Sequence, residues 1–427
     1  MPISTWVEVD LDRFARNLER LRELAGQERE LLLVAKADAY GHGAVEMARA
    51  AEAIGVSRFG VATLHEGLQL HTAARTRSII VLSPLLPAEV EEAVEHGLEP
   101  TLPDLVLARA VSAAADRIGR PTRVHVEVDT GMGRTGIRED EVVPFLQTLS
   151  QLPGLRLASL YTHFPDADSE DLSFARGQIE RFARLLEHLD RLGLRPPRVH
   201  AANSAGFLNL PEARLDWSRL GLSAYGVHPQ RDESALTLEP VMSLRSRVVQ
   251  LRSMPADTPI SYSRTYVTRR PTRIGVVPVG YGHGYSWLLS GRGRMLVGGR
   301  SAPILGRVTM DLTMIDLTDH GHVAIGDEVV LFGEQGTEVL PIEEVASGSE
   351  TLPYEVLCTI GKRVTRLYLQ GGDAVRMSTL VGERESWTRA ASHYVRARAH
   401  HFGEELTIAR IPDRAGWSGH RRVAGCG

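Results

Sequence analysis

The sequence predicts a (β/α)₈ barrel followed by a mainly antiparallel β domain, and three observations lead there. Eight strand-like runs alternate with helical periodicity in the first half. From about Leu236 that alternation gives way to short runs divided by Gly, Asp and Pro, with no helices between them. The polar residues able to do chemistry fall at the carboxyl ends of the barrel strands, the rim where the βα loops of such a barrel build active sites. At 427 residues, 43% hydrophobic and 24% charged, the chain has room for both parts. The expected organisation is a barrel over 1–235, whose first residues pair with the β domain, a β domain over 236–372, and an extension of unassigned role over 373–427.

Leu31 to Lys36 opens the barrel as an apolar run too short for a typical helix. Phe59 to Thr63, Ile79 to Leu82, Glu99 to Leu102, Val124 to Val128, Leu157 to Tyr161, Arg198 to Ala202 and a run near Trp217 to Gly226 complete eight. The clearest helix spans Phe174 to Leu192, where Ile179, Phe182, Leu185, Leu186 and Leu189 recur at spacings of three and four. Eight such units suit a barrel better than a doubly wound sheet. In the second half the strand runs are Arg247 to Leu251, Ile274 to Val279, Met295 to Val297, Ala302 to Leu305, Met314 to Leu317 and Glu328 to Phe332. Beyond Gly371 the chain is arginine-rich with interspersed acids, which reads as a solvated appendage.

Composition narrows the function. A net charge of −4 offers no basic stripe for nucleic acid. Two cysteines, Cys358 and Cys426, suit a reducing compartment. No secretory signal stands at the N-terminus, and no run nears the roughly 18 apolar residues that cross a bilayer. A cytoplasmic location is the expectation. No Walker loop or dinucleotide fingerprint appears, and no metal is expected. His65-Glu66 with His71 has the wrong spacing for a zinc-binding helix, because residue 69 is Gln69.

Lys36 is the most informative residue. A lysine closing a buried strand is pushed towards its neutral amine, which can attack a carbonyl; it can equally snorkel out of the strand end. The wider string Ala35-Lys36-Ala37-Asp38-Ala39-Tyr40-Gly41-His42-Gly43 resembles the pyridoxal-phosphate attachment motif of alanine racemases. The resemblance extends to about Tyr368. It implies pyridoxal 5′-phosphate bound covalently by Lys36, with Tyr40 at its phosphate.

Other positions match the family one by one. Ser204 opens a predicted helix, which suits a phosphate or a simple N-cap. The resemblance places Asn203, Ser204, Arg219, Gly221 and Leu222 around the cofactor's phosphate and ring, with Tyr354 at the entrance also reaching the phosphate. Arg219 matches the family arginine at the pyridine nitrogen. An always-charged donor there holds that nitrogen unprotonated and limits side reactions; taken alone, Arg219 could be a surface ion-pair residue. His163 resembles the histidine beside the ring, although a lone histidine is often buried and structural. Arg134 and the Met310 backbone N–H match the groups that meet the substrate carboxylate. Racemisation needs acid–base groups on two faces. Lys36 serves one, and Tyr262, in Ile260-Ser261-Tyr262-Ser263, resembles the catalytic tyrosine that serves the other. By itself Tyr262 reads as a packing residue. In the family it comes from the partner in a head-to-tail homodimer.

Two departures stand out. Glu127 occupies a position where the family commonly carries a carbamylated lysine that orients the arginine; its shorter carboxylate can still hydrogen-bond Arg134 if the guanidinium leans towards it or a water bridges, and the sequence leaves its partner open. His283, in Gly280-Tyr281-Gly282-His283-Gly284-Tyr285, replaces a usual aspartate near the access channel, which bears on substrate range. The expected activity is interconversion of L- and D-alanine, supplying D-alanine for the cell wall. The alternatives are a broader racemase of the same fold, a non-catalytic cofactor-binding protein, and a related decarboxylase. The retained β domain with Tyr262 argues against the second, and Arg219 against the third.

Overall fold

In the computed structural model, residues 3–73, 78–229 and 236–385 are described, and eight parallel strands close on themselves. Strand β1 (Thr5–Asp10) belongs to the second sheet. The barrel strands are β2 (Glu30–Val34), β3 (Arg58–Val61), β4 (Ser78–Val81), β5 (Glu99–Leu102), β6 (Thr122–Asp129), β7 (Leu155–Tyr161), β8 (Val199–His200) and β9 (Trp217–Leu220). Pairing of β5 with β6 and of β9 with β2 shuts the ring. Helices cover the outer faces, so β4 and β5 are buried along their whole length. The helix Ser173–Arg191 turns the expected stripe of Ile179, Phe182, Leu185, Leu186 and Leu189 inward. The helix Leu11–Ala25 starts where Asp10 Oδ1 accepts the Arg13 N–H at 2.9 Å.

Register matters most for function. Glu127 pairs with Tyr161, Tyr161 with His200, and His200 with Trp217. These four residues therefore stand at one level on four adjacent strands.

The second sheet runs in the order Arg300–Pro303, Arg294–Val297, Glu328–Gln335, Met242–Arg247, β1, Thr365–Gln370, Asp373–Thr379, Gly382–Glu385. Every pairing in it is antiparallel except that of β1 with Thr365–Gln370. The run Arg247 to Leu251, expected as one strand, straddles two: Met242–Arg247 lies in this sheet and Gln250–Met254 in a three-stranded one. An apolar run cannot show where the chain changes sheets. Residues 373–385, assigned from sequence to the extension, add two strands to the sheet; the remainder of that extension lies outside the described residues.

Candidate active site

At the carboxyl ends of the barrel strands a cavity of about 340 Å³ is lined by all the expected site residues except Tyr262 and Met310. Lys36 does not close β2 as the sequence suggested. It opens one turn of left-handed helix, in which Ala37, Asp38, Ala39 and Tyr40 have φ of 52°, 55°, 53° and 52°. Each such L-residue costs about 1–2 kcal/mol, so the surroundings must hold the turn. Glu66 accepts the Ala37 N–H at 2.7 Å and, with its other oxygen, the Ala62 N–H at 2.8 Å. Asp38 accepts the Ala44 N–H at 2.8 Å, and Arg366 Nε donates to Gly41 O at 3.0 Å. The sequence reading weighed Glu66 only within a zinc-binding helix and missed this role, although Thr63-Leu64-His65-Glu66 has the capping-box spacing, and its reciprocal bonds are present.

The turn aims Lys36 into the cavity. Burial, then the nearby Arg134 and Arg219, lower its ammonium pKa, so the neutral amine gains ground. Tyr40 packs against Tyr225 and Tyr354, with ring centroids 5.2 and 6.0 Å away. A Cβ at Gly221 would meet Tyr40 Oη at 2.6 Å, so glycine is what lets the phenol approach the β9 loop. Asn203, not Ser204, caps the short helix Ser204–Asn209, accepting the Gly206 N–H at 2.9 Å. The Ser204 hydroxyl accepts the N–H groups of Gly221 and Ser223 at 3.2 and 3.3 Å, which brings the cavity ends of β8 and β9 together.

Arg219 is buried, and among the described residues no carboxylate lies within ion-pair distance of it. Its guanidinium donates to Thr162 O (2.8 Å), Ala201 O (2.9 Å), His200 Nδ1 (2.7 Å) and His163 Nδ1 (3.0 Å), and lies over the Tyr161 ring. Because a guanidinium only donates, both histidines must accept at Nδ1 and carry their proton on Nε2. Burial and the adjacent Arg219 hold His163 and His200 well below the ordinary histidine range, so both are neutral. Tyr354, whose phenol is pushed up to about 12 by burial, brings the β domain to the mouth of the cavity.

Glu127 accepts from Thr135 Oγ1 at 2.7 Å, and among the described residues it makes no ion pair with Arg134, although both line the cavity. The shorter glutamate stem stops at the neighbouring hydroxyl. Asp129, at the end of β6, accepts the N–H groups of Gly131, Met132 and Gly133, and so shapes the loop that carries Arg134. Tyr262 and Met310 are 73% and 53% exposed on loops of the β domain, away from the cavity of their own chain.

The family model for the N-terminal domain of alanine racemase matches residues 9–229, and that for the C-terminal domain matches residues 241–368. The chain belongs to the alanine racemase family. Alanine racemase from Carboxydothermus hydrogenoformans is 41% identical over 366 residues, covering 85% of this chain and 99% of the relative. That from Halothermothrix orenii is 39% identical over 365 residues, covering 85% and 96%. Among solved structures, alanine racemase from Clostridium difficile 630 superposes with a TM-score of 0.85 at 31% identity, covering 89% of this chain and 99% of the other. The Bacillus anthracis enzyme, crystallised with bound L-Ala-P, gives 0.83 at 35% identity and the same coverage. The protein is thus an enzyme of the racemase class, from a family that uses pyridoxal phosphate and acts on a small molecule. Among the described residues no helix is long and apolar enough to cross a membrane.

Proposed function

We propose that this enzyme interconverts L- and D-alanine, with pyridoxal 5′-phosphate bound covalently by Lys36 and acid–base groups acting from two faces of the substrate. The charge of the cavity carries the reading: the guanidinium groups of Arg134 and Arg219 line it against one carboxylate, Glu127, among the described residues. Such a cavity favours anions, and the cofactor phosphate and an amino-acid carboxylate are both anions. The residues fit the cofactor. A depressed lysine offers the point of attachment, Tyr40, Tyr354, Asn203, Ser204, Gly221 and Leu222 form a cradle for the phosphate and ring, and the uncountered guanidinium of Arg219 suits a ring nitrogen.

When bound, the cofactor supplies an electron-accepting ring that acidifies the proton on the substrate Cα. Lys36 takes that proton as a neutral amine and returns it as the ammonium, on one face. Tyr262 serves the other face, giving a proton as the phenol and taking one as the phenolate. Arg134 and the Met310 N–H hold the carboxylate, and His163 keeps Arg219 oriented from the side. Tyr262 and Met310 belong to one exposed face of the β domain. The Tyr281 N–H donates to Thr309 O (3.0 Å), the Gly282 N–H to Met310 O (2.9 Å) and Ser261 Oγ to Arg307 O (3.0 Å), which ties three loops together. Tyr281, Met310 and Leu312 are exposed there. We infer a head-to-tail homodimer in which each copy lends this face to the other's cavity, working in the cytoplasm to provide D-alanine for the cell wall. His283 stands on the same face, its Nδ1 accepting the Gly280 N–H at 3.3 Å, and a broader substrate range is the second reading because the family usually has aspartate there.

A chiral amino-acid panel separates the two readings. Purified protein should be yellow, and Lys36→Ala colourless and inactive. Tyr262→Phe should retain colour and lose about 10²- to 10⁴-fold in rate. Mixing the two inactive variants should restore activity, at about a quarter of the wild-type site content for random exchange in a twofold dimer. Tyr262→Phe with both directions of racemisation intact would sink the two-base scheme.

A further inference from the structure

Behind Arg219 the barrel interior holds a file of polar side chains, where such barrels ordinarily pack branched aliphatic layers. Arg219 Nη1 lies 2.7 Å from His200 Nδ1, and His200 Nε2 lies 2.9 Å from Ser159 Oγ. Ser159 Oγ is 2.7 Å from His125 Nδ1, and His125 Nε2 is 2.9 Å from Glu99 Oε2. The two histidines and the serine are wholly buried, and Glu99 and Arg219 are each 4% exposed. Glu99 opens β5 at the floor of the barrel, so the file crosses the core from floor to cavity.

The direction of these bonds is forced. Arg219 can only donate, so His200 accepts at Nδ1 and donates from Nε2–H to Ser159. The serine proton then goes to His125 Nδ1, and His125 Nε2–H goes to the Glu99 carboxylate. The reverse arrangement would set a bare His125 nitrogen against Glu99 unless the ring were charged. Burial opposes that charge and outweighs the pull of Glu99 itself, with lesser help from the facing Arg123, 3.3 Å from Glu99, and Arg58, stacked on Trp217. Arg58 is itself paired with Glu30. His200 is held flat between Tyr161 and Trp217, with centroids at 4.7 and 5.3 Å, so its ring cannot turn to offer another edge. A buried polar file of this kind is costly unless every member is satisfied, and here each bond of the file is made.

We propose that Glu99, His125 and Ser159 are positioning residues: they lock His200 in the tautomer that accepts from Arg219, and the charge of Glu99, relayed through aligned hydrogen bonds, sets how strongly Arg219 donates towards the cavity. No proton leaves the file. The proposal rests on the reading that Arg219 faces the ring of a bound cofactor. Without the charge of Glu99 the surroundings of the guanidinium are more positive, and the group in front of it is less readily protonated.

The test uses cofactor-loaded full-length enzyme carrying Glu99→Gln, Ser159→Ala, both together, or Ser159→Thr. Melting temperature, the pH titration of the visible absorption band, and kcat and KM for alanine in both directions are read for each. Glu99→Gln and Ser159→Ala should each lower kcat about tenfold with KM nearly unchanged, and move the midpoint of the band's titration by about one pH unit. The double variant should be no worse than Ser159→Ala, because the file is already cut, and Ser159→Thr should restore the wild-type values. If the two single variants change only melting temperature, or if their losses in kcat multiply in the double variant, the proposal is wrong. Should Ser159→Ala fail to fold, the isosteric Glu99→Gln decides alone. A colourless wild type would instead overturn the cofactor reading, so the two failures are distinguishable.

Discussion

Glu66→Ala removes the acceptor of the Ala37 N–H, the bond nearest to Lys36 in the left-handed turn. Four L-residues in that conformation work against the turn by on the order of 4–8 kcal/mol. Glu66 opposes this with bonds to Ala37 N–H (2.7 Å), Ala62 N–H (2.8 Å) and Thr63 N–H (3.2 Å). A hydrogen bond to a charged acceptor is worth about 1.5–3 kcal/mol, less where water can replace it. The side chain is partly exposed, so the three together should stabilise the turn by about 2–3 kcal/mol. Opening of the turn should then become about 30- to 160-fold more frequent in the variant. Amide hydrogen exchange across residues 37–43 reads this directly, and cofactor retention on dialysis should fall in parallel. Glu66→Gln keeps one acceptor oxygen in place of two and should fall between the extremes. Wild-type exchange across 37–43 in Glu66→Ala, with an unchanged melting temperature, would refute the view that this carboxylate holds the turn.

Further predictions concern packing and pH. Gly221→Ala places a Cβ 2.6 Å from Tyr40 Oη, and the ring has Tyr225 and Tyr354 close by. The variant should lose about 1–3 kcal/mol by overpacking and bind cofactor about tenfold more weakly, as followed by absorbance titration. His42, wholly buried, is held down to about 4 by burial, and His125, His163 and His200 are also depressed. A histidine whose folded pKa lies below its unfolded value takes up its proton first in the unfolded chain. Stability is therefore full above about pH 6.5 and falls as pH drops towards 4, with His42 alone contributing on the order of 3 kcal/mol. Denaturant melts between pH 7.5 and 5 check this, and a flat profile would contradict it.

Much of the architecture was legible because it is written in local periodicity. The fourth barrel strand appears at Glu99–Leu102 as read, and the long helix runs over Ser173–Arg191. Polar residues at strand ends did converge: Lys36, Arg134, His163, Asn203, Ser204 and Arg219 share a single cavity. Glu127 was recognised as unusual, yet its partner Thr135 was not, because the choice between Thr135 and Arg134 depends on stem length and loop geometry. The polar file under Arg219 left one trace, the inward alternation of His125 and Glu127 in β6. Alternation places residues on a face but does not say what lies opposite.

From residue types and spacing alone came the barrel, the β domain and the lysine at its rim, since strand and helix patterns depend on neighbours two to four residues away. Tertiary structure alone decided the left-handed turn, the tautomers of His163 and His200, and the level at which Glu127, Tyr161, His200 and Trp217 meet. Ala37 to Tyr40 contains no glycine and by itself favours the right-handed form. Its handedness is imposed by Glu66, 29 residues from Ala37, and by Arg366, 325 residues from Gly41, and partners so remote leave no mark in the local pattern.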